Sequence, residues 1–274
     1  MMIDTENRTI EIDLLLEALW RKYGYDFRNY ARASIERRVS HRIALSGFGS
    51  ILELTHKLLE NRSFFEMFLE DLSINVTEMF RDPFFYRTFR EKLVPYLKTH
   101  PFLRIWVPGC ATGEEVYSIA IILKEEGLYE RSQIYATDFN ETVLQKAREG
   151  IYPLDLIKKY TSNYQEAGGS TSFSTYYTAR YNSVILDSSL KSNIVFAAHN
   201  LATDEVFNEM QLISCRNVLI YFNKKLKNRV HRLFYDSLCH SGILCLGTKE
   251  SITFSEYTEK YEDFAKHEKI YRKK

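Results

Sequence analysis

A glycine-bearing turn is the first part of this chain whose residues could bind a cofactor. The apolar run RIWV leads into PGCATG at positions 108–113, and an amphipathic segment starts at Glu114. A strand, a glycine turn and a helix form the usual site for an adenosine-bearing cofactor, because glycine lets backbone amides approach the ligand closely. The G-x-x-x-G spacing from Gly109 to Gly113 matches neither a dinucleotide fingerprint nor a phosphate-binding loop. By itself it is therefore a weak indication of a cofactor site, and a simple tight turn is the alternative.

Two acidic residues follow the turn and restrict which cofactor it could take. Glu114 and Glu115 occupy the first turn of the predicted helix, where the helix dipole favours carboxylates. One interpretation is that they do only this. However, the same two charges would repel a pyrophosphate at this helix start, where dinucleotide folds bind it. A cofactor here should lack phosphates and carry positive charge, and S-adenosylmethionine, with its ammonium and sulfonium groups, fits that description.

A third acid ends the next apolar run. QIYATD finishes at Asp138, 25 residues beyond Gly113. An acid at the tip of the second strand of such a fold is placed to accept hydrogen bonds from both ribose hydroxyls of a nucleoside. Alternatively, Asp138 is the N-cap of the helix predicted to begin near Glu141. The two roles are compatible.

The elements that must position these acids fall into two regions with different patterns of apolar residues. The first ninety-odd residues are helical in pattern, with apolar residues at helical spacing, and a further helical pattern runs from Asn75 to Leu97 before His100-Pro101 breaks it. Beyond this break, short apolar runs alternate with amphipathic stretches, which is typical of a parallel sheet covered by helices. We predict a helical domain with a linker helix over residues 1–95 and an α/β domain over residues 96–274.

One polar stretch interrupts the alternation. Residues 160–191 are rich in Ser, Thr and Tyr, and SFSTYYTARYNSVIL has partial two-residue periodicity. Such a pattern predicts a small antiparallel insert or hairpin within the α/β domain.

Composition excludes several classes of protein. The formal net charge is +1 over 274 residues, which does not indicate nucleic-acid binding. The four cysteines form no C-x-x-C pair and the histidines lack zinc-ligand spacing, so no metal is expected. The N-terminus has no signal-peptide core, and no apolar run reaches the roughly 18 residues that a membrane span needs. We expect a cytoplasmic protein with reduced thiols.

Five stretches, taken in order, resemble a known family. INVTEMFRDPFFY, VPGCATGEEVYSIAI, ATDFNETVLQKAREGIY, AHNL and SCRNVLIYF are similar to the CheR-type chemotaxis methyltransferases, from about Tyr23 to Ser251. The resemblance implies an S-adenosylmethionine-dependent enzyme that methylates glutamates on the helical signalling region of chemoreceptors. It also implies an N-terminal all-helical domain, a Rossmann-like class I methyltransferase domain and a small antiparallel β insert.

The same resemblance implies roles for individual residues. Arg81 and Tyr221 would lie closest to the transferred methyl group, Glu115 would hold the methionine amino group, and Asp138 would hold the ribose. The other implied cofactor contacts are Asn75, Thr77, Arg81 itself, Gly109, Asn200, Leu201, Arg216 and Asn217. From the residues alone, Arg81 is also interpretable as the ion-pair partner of Asp82, and Tyr221 as a buried tyrosine with its hydroxyl satisfied.

The chain departs from the family pattern at four positions. Met79 replaces an aromatic residue, Val116 a proline, Gln211 an acid and Thr248 a histidine. These departures indicate a divergent member whose substrate need not be an ordinary chemoreceptor. Two alternatives remain: a Rossmann-like methyltransferase acting on another substrate, although the Asn/Asp-Pro-Pro-Tyr stretch common in nucleic-acid enzymes is replaced by CRNVLIY, and a non-catalytic cofactor-binding signalling module.

A basic segment is the candidate surface for a protein partner. Residues 21–42 carry seven Lys/Arg and two Asp/Glu, and on a helical wheel Arg28, Arg32, Arg38 and Arg42 share an arc of about 120°. One hypothesis is that these arginines dock an acidic receptor helix; the other is that their stems cover apolar surface while their heads stay in water. The insert is a possible site for a receptor tail peptide that pairs with its edge strand.

Overall fold

The computed structural model describes residues 2–72, 77–207, 209–253 and 255–274. The chain divides into two compact units. The helical unit comprises Met1–Ile74 and Ile220–Val230, and the sheet unit comprises Asn75–Leu219 and His231–Lys274. The helical unit is therefore built from two segments that lie far apart in the sequence.

Four helices form the first segment of the helical unit, as the apolar spacing predicts. They are α1 (Met2–Tyr23), α2 (Arg32–Ser46), α3 (Ile51–Glu60) and α4 (Arg62–Leu72). Gly47 ends α2 in the left-handed conformation, with φ of 71°, which glycine adopts without steric cost. Ser50 caps α3 by accepting a hydrogen bond from the Glu53 amide at 3.1 Å. Leu54, Leu58 and Phe65 are fully buried and form part of the core of this unit.

The second segment of the helical unit pairs with the loop between α1 and α2. The Ala31 amide donates to the Tyr221 carbonyl at 2.7 Å, and the Asn223 amide donates to the Asn29 carbonyl at 2.9 Å. The rings of Tyr30 and Phe222 pack edge to face, with centroids 5.0 Å apart. Residues 220–223 therefore complete the helical unit through backbone pairing as well as apolar contact.

The linker is shorter as a helix than predicted. The predicted pattern began at Asn75, which lies outside the described residues, but residues 77–82 are not helical. Helix α5 begins only at Pro83. Phe80 and Asp82 have φ of 53° and 59°, in the left-handed region, and the residue before a proline is disfavoured in the α conformation. The helical prediction is therefore wrong for residues 77–82, including Thr77 and Arg81.

The remaining linker elements follow Pro83 without interruption. They are α5 (Pro83–Thr88), a π-helical turn (Phe89–Leu93) and α6 (Val94–Leu97). Phe80 is fully buried, with its ring edge-on to Tyr86 and Tyr164 at 5.2 Å between centroids. Burial of this ring explains why the chain accepts a strained backbone at Phe80 rather than continuing the helix.

Within the described residues, seven strands of the sheet unit form one mixed sheet in the order β6-β2-β1-β7-β8-β10-β9. The strands are β1 (Leu103–Pro108), β2 (Ser132–Asp138), β6 (Ile194–Ala198), β7 (Met210–Cys215), β8 (Leu238–Leu246), β9 (Tyr261–Ala265) and β10 (Ile270–Lys273). In this order the first five strands (β6, β2, β1, β7 and β8) pair in parallel with their neighbours, while β10 is antiparallel to both β8 and β9.

The Rossmann-like α/β prediction is confirmed, with one addition. The helices α7 (Glu114–Glu125), α8 (Glu141–Glu149) and α10 (Lys224–Ser237) connect the strands where the amphipathic stretches predicted them. The C-terminal strands β9 and β10 were not predicted. Each strand is only four or five residues long, which is too short for a clear two-residue alternation. The charged turn KHEK separates them.

A small antiparallel sheet confirms the predicted insert and extends it. Strands β4 (Tyr177–Arg180) and β5 (Ser183–Leu186) form the predicted hairpin, and β3 (Ile151–Pro153) pairs with β5 on its other side. Residues 160–166, predicted as part of the insert, belong to helix α9 (Ile157–Glu166). Ile157, Tyr160 and Tyr164 bury one face of that helix, and this three-to-four-residue spacing overrides the polar composition.

The core of the sheet unit lies around β1 and α7. Ile105 and Trp106 of β1 and Ile119, Ile121 and Ile122 of α7 are fully buried, as expected for a central parallel strand covered by a helix. Among the described residues, no helix is both long and apolar enough to cross a membrane.

Candidate active site

The glycine turn leaves β1 at the carboxyl edge of the parallel strands. Gly109 has φ of +67°, and a Cβ on it would lie 2.6 Å from Val218 Cγ2. Gly113 has φ of +94°, and Ala111 is also left-handed at +48°. The Cys110 amide donates to the Thr137 carbonyl at 3.0 Å, which ties the turn to β2. Gly109 is thus required both for its backbone conformation and for the space beside Val218.

Asp138 joins this turn to the start of α8. Its Oδ2 accepts from the Ala111 amide at 3.1 Å, and its Oδ1 accepts from the Asn140 amide at 3.0 Å. Asn140, rather than Asp138, caps α8 by accepting from the Thr142 amide at 2.9 Å. The N-cap interpretation of Asp138 is therefore wrong. A carboxylate has about four acceptor positions, so two bonds to the backbone leave acceptor capacity for a ligand.

Arg216, at the end of β7, holds two carboxylates at the start of α7 and α5. Its Nη1 lies 3.3 Å from Glu115 Oε2, and its Nη2 lies 2.9 Å from Asp82 Oδ2. The Arg216 side chain is 1% exposed and that of Glu115 is 15% exposed. Ser214 donates to Glu115 Oε1 at 2.6 Å. The guanidinium also lies over the Phe85 ring, 3.9 Å from its centroid. A buried arginine thus fixes the Glu115 carboxylate from one side.

The same arginine places the backbone of Arg81. Arg216 Nη2 donates to the Arg81 carbonyl at 3.1 Å, so residues 81 and 82 are both held by one guanidinium group. The sequence left open an Arg81–Asp82 ion pair; the Asp82 carboxylate binds Arg216. Thr77 lies in the non-helical stretch before Arg81 and is half-buried.

Three carboxyl groups around the turn have raised pKa values. Burial raises the pKa of Glu114, against a hydrogen bond from Thr112. Burial also raises the pKa of Glu115, against the nearby Arg216, and that of Asp138, against backbone donors at Asn140 and Ala111. In each case burial destabilises the ionised form, so a positively charged ligand nearby would be favoured.

The last two predicted contact segments follow β6 and β7. The His199 amide donates to the Asp138 carbonyl at 3.0 Å. Asn200, the next residue, therefore lies at the same edge of the sheet as Asp138. Asn200 Oδ1 accepts from the Ala202 amide at 2.9 Å, and Leu201 is buried. Asn217 has φ of +63°, a left-handed backbone that is uncommon for a residue with a side chain.

The sheet unit therefore contains most of the predicted site. It brings the Arg81 backbone, Glu115 and Arg216 into direct contact, and Asp138 contacts the turn that starts at Gly109. Tyr221 belongs to the helical unit, where the Arg38 guanidinium lies 5.8 Å from its ring centroid. Asn75 lies outside the described residues.

Three residues of this region were missed from the sequence. Ser214 binds Glu115, Val218 packs against Gly109, and Glu250 accepts from the Asn217 amide at 2.9 Å. Ser214 could have been found as one of two polar residues in the mainly apolar run MQLISC, the other being Gln211. Val218 and Glu250 carry no such local signal, since their roles depend on which strands are neighbours.

The four departures from the family pattern have ordinary structural environments. Met79 and Val116 are fully buried, and Thr248 is exposed. Gln211 Oε1 accepts from the Arg104 amide at 2.7 Å. None of these contacts involves Glu115, Asp138 or Arg216.

The basic arc is not the surface that the helical wheel predicted. Arg28 precedes α2 and binds Glu17 and Asp26, each at 2.9 Å, and Arg32 binds Asp13 at 2.5 Å. Arg38 and Arg42 are each 8% exposed. Arg38 donates to the Asp71 and Leu72 carbonyls, and Arg42 forms an ion pair with Asp71.

These four arginines therefore do not form one exposed basic face. The wheel was wrong because it ran a single helix through residues 21–42, whereas α1 ends at Tyr23 and α2 begins at Arg32. The alternative interpretation, with arginine heads in water, is also wrong for Arg38 and Arg42, whose guanidinium groups are buried and bound within the helical unit.

Known protein families and proteins match this chain along nearly its whole length. Residues 75–269 match the model of the CheR methyltransferase S-adenosylmethionine-binding domain, and residues 10–73 match that of the CheR methyltransferase all-alpha domain. A Pseudomonas putida protein called "Putative methyltransferase Cher3" is 50% identical over 272 residues, covering 99% of this chain and 100% of its own length.

Two more distant similarities accompany these matches. A chemotaxis protein methyltransferase of Borreliella burgdorferi is 29% identical over 263 residues, covering 88% of each chain. Among solved structures, that of S-adenosylmethionine-bound CalS10, an amino pentose methyltransferase from Micromonospora echinaspora, is 11% identical with a TM-score of 0.35, covering 59% of this chain and 50% of its own.

Proposed function

Because the chain belongs to the CheR methyltransferase family, we propose that it methylates glutamate side-chain carboxylates of a chemoreceptor or a related signalling protein. The products are glutamate methyl esters and S-adenosylhomocysteine. The cofactor is S-adenosylmethionine, which supplies a methyl group activated by its sulfonium. The observation that carries the proposal is the Glu115–Arg216–Asp82 cluster around the buried Arg216 guanidinium, which joins the cofactor turn to the backbone of Arg81.

The residues around the turn fit this cofactor. Glu114, Glu115 and Asp138 are buried or nearly so, and burial raises the pKa of each carboxyl. A cationic amino group would relieve that cost for Glu115, while a diphosphate would increase it. Gly109 has no side chain where a Cβ would meet Val218, so the backbone of the turn remains open to a closely packed ligand.

Each predicted contact has a corresponding role in the proposal. Glu115 holds the amino end, and Asp138 accepts from the ribose hydroxyls with its remaining acceptor positions. Asn200 and Leu201 border the adenine, while Arg216 and Asn217 close the pocket. Asn75 and Thr77 add polar contacts from the segment before Arg81. These roles rest on the family resemblance, and the hydrogen bonds described above orient the side chains of Glu115, Asp138, Asn200 and Arg216.

A carboxylate acceptor explains why the site needs positioning groups rather than a base. A glutamate with a reference pKa of about 4.3 is already ionised at neutral pH, so no proton has to be removed before it attacks. What remains is to hold the carboxylate in line with the methyl group, and well-held geometry can supply roughly 7–11 kcal/mol. Arg81 holds one carboxylate oxygen through a charge-assisted hydrogen bond while the other oxygen attacks. Tyr221 provides a second donor.

The protein partner is the helical signalling region of a receptor, and the cellular site is the cytoplasm, where such regions lie. Arg38 and Arg42 are excluded from the docking surface by their burial. Arg28 and Arg32 are partly exposed but ion-paired. The hairpin of β4 and β5 remains the candidate for a receptor tail peptide, because β4 is at the edge of the small sheet.

Alkaline lability of the product tests the acceptor. The protein is incubated with methyl-labelled S-adenosylmethionine and a lysate, and the labelled protein is treated with mild base. Methyl esters release methanol, whereas methylated amines and bases do not. Alkali-stable label would show a methyltransferase with another substrate, and complete lack of transfer would favour a non-catalytic cofactor-binding module.

Arg81→Ala tests the proposed catalytic group. We expect kcat to fall about 10²–10³-fold, the usual loss when one donor to a reacting oxygen is removed, while the Kd for S-adenosylhomocysteine changes much less. The measurements are the rate of ester formation and calorimetric binding. Arg232→Ala is the matched control, because the Arg232 side chain is 72% exposed and pairs with Asp236 on its own helix. Wild-type turnover in Arg81→Ala would remove Arg81 from the mechanism.

A further inference from the structure

Glu250 is a buried carboxylate to which neither the sequence nor the family matches give a role. It is 5% exposed and lies in the loop after β8. A single oxygen, Oε2, accepts two backbone hydrogen bonds: one from the Gly247 amide at 2.6 Å and one from the Asn217 amide at 2.9 Å. One side chain therefore fastens the segment that leaves β8 to the segment that leaves the neighbouring strand β7.

The segment held in this way has an unfavourable backbone. Asn217 has φ of +63°, a left-handed conformation that asparagine adopts more often than most residues but that is still less favourable than the right-handed one. Contacts from the surroundings therefore help to hold the chain in it. The hydrogen bond from the Asn217 amide to Glu250 Oε2 is a constraint of this kind.

The packing around Gly247 leaves little freedom for any other arrangement. A Cβ on Gly247 would lie 2.8 Å from the Asn217 nitrogen, 2.8 Å from Glu250 Oε2 and 3.0 Å from Asn217 Nδ2. The Glu250 amide donates back to the Gly247 carbonyl at 2.9 Å. Gly247, Glu250 and Asn217 are thus in mutual contact, and none can shift without disturbing the others.

Asn217 directly follows Arg216, whose guanidinium holds Glu115 and Asp82. The direction in which the chain turns at Asn217 therefore influences where the Arg216 backbone leaves β7. The charge of Glu250 also reaches this cluster, since it is one of the causes that raise the pKa of Glu115, after burial.

We propose that Glu250 is a positioning residue of the cofactor site: by accepting the Asn217 amide it holds Asn217 in its left-handed conformation and so places Arg216 and Asn217 against the cofactor. The inference rests on the proposed cofactor contacts of Arg216 and Asn217, but not on the identity of the methyl acceptor. It assigns the effect to the hydrogen-bond acceptor and not to the negative charge.

Two substitutions of Glu250 separate these possibilities. Glu250→Ala removes the acceptor and the charge, while Glu250→Gln removes the charge and keeps an oxygen that can accept both amides. We expect Glu250→Ala to raise the Kd for S-adenosylhomocysteine at least tenfold and Glu250→Gln to raise it less than about threefold. The measurement is calorimetric binding at pH 7.5, with the unfolding temperature recorded for each variant.

The binding assay keeps this inference distinct from the proposed reaction, because it requires no methyl acceptor. If Glu250→Ala binds the product as tightly as wild type, the positioning role is wrong. If Glu250→Gln is as impaired as Glu250→Ala, the charge rather than the acceptor is responsible, and the proposal also fails.

A second variant covers the case in which Glu250→Ala does not fold. Gly247→Ala places a methyl group between Glu250 and the Asn217 amide, so we expect it to weaken binding at least tenfold as well. Gly49→Ala is the matched control: there the nearest atom to the new methyl group is the flexible carboxylate of Glu53 at 3.4 Å, within the helical unit. Unchanged binding in Gly247→Ala would overturn the proposal.

Discussion

Glu114 and Glu115 are neighbours in the sequence, yet the groups that contact their carboxylates differ in charge. Glu115 contacts Arg216 and Ser214, so a cation and a hydroxyl stabilise its ionised form. Glu114 is 4% exposed and receives hydrogen bonds from Thr112 at 2.7 Å and Tyr160 at 3.4 Å. In the part of the chain that the structure describes, no Lys or Arg pairs with Glu114. Its ionisation therefore has a free-energy cost that the fold does not offset.

This difference gives a pH-dependent prediction for Glu114→Gln. Burial raises the pKa of Glu114 in the folded state, so the folded protein binds more protons than the unfolded chain between the two pKa values. The stability contributed by Glu114 is therefore greatest at low pH and declines as the pH rises through that interval. We expect the free energy of unfolding of Glu114→Gln to exceed that of wild type by about 1 kcal/mol at pH 8, with a smaller difference at pH 4.5.

Urea unfolding at the two pH values measures the effect. Glu115→Gln is the comparison variant, because it leaves Arg216 with one carboxylate fewer and should be destabilised at pH 8. Equal stability of wild type and Glu114→Gln at both values would mean that Glu114 is ionised at no cost.

At the residue scale, types and spacing were sufficient to locate the acids but not their partners. Glu115 and Asp138 follow a turn and a strand, which is a local pattern. The contacts of Arg216 with Asp82 and Glu115 span more than 100 residues of sequence and depend on which strands are neighbours. The missed residues Val218 and Glu250 are of the same kind, and no single-sequence pattern specifies their contacts.

At the scale of elements, the glycine turn combines a strained backbone with close packing. Gly109 and Gly127 have nearly the same φ, +67° and +69°, but a Cβ on Gly109 would meet Val218 at 2.6 Å, whereas a Cβ on Gly127 would have no heavy atom within 4 Å. Comparing the alanine variants of these two glycines therefore distinguishes the free-energy cost of a left-handed alanine from the cost of steric contact with Val218.

We expect Gly127→Ala to lower the free energy of unfolding by about 1–2 kcal/mol, the cost of a left-handed alanine, and to retain cofactor binding. Gly109→Ala should be destabilised further and lose S-adenosylhomocysteine binding by more than tenfold, because the turn must shift away from Val218. Chemical denaturation and calorimetry measure the two effects. Equal losses in both variants would show that only backbone conformation matters at Gly109.

Sequence patterns predicted the central elements better than the irregular ones. Strands β1, β2 and β7 are buried apolar runs, and α8 has both a cap at Asn140 and a left-handed glycine end at Gly150. The stretch before α5 was misread because Phe80 and the residues around it continue a helical apolar spacing. Tertiary burial of the Phe80 ring, together with Pro83, breaks the helix there.

At the scale of the whole molecule, the helical unit depends on a segment from the far part of the chain. Residues 220–223 pair with the α1–α2 loop through two backbone hydrogen bonds and the Tyr30–Phe222 contact. Phe222, Leu226 and Val230 are 5% exposed or less. No pattern in the sequence predicts this pairing, because Tyr221 and its neighbours follow β7 directly.

We expect residues 75–274, expressed without the first 74 residues, to be poorly soluble, because Phe222, Leu226 and Val230 belong to the core of a unit that would then be missing. Size-exclusion chromatography and binding of a hydrophobic dye measure this. Phe222→Ser and Leu226→Ser in the truncated protein should restore solubility. A monomeric, dye-negative fragment without those substitutions would show that the segment is buried in another way.

The division of the helical unit between two distant segments also affects how the protein emerges from the ribosome. The first 74 residues are synthesised early, but Ile220–Val230 follows roughly 150 residues later. At about 5–20 residues per second, this is a delay of roughly 7–30 s. During that interval the Tyr30 ring of the nascent four-helix segment lacks the Phe222 ring that packs against it in the folded protein. A chaperone that binds exposed apolar side chains would therefore have a defined period in which to act, which ends when Phe222 leaves the exit tunnel.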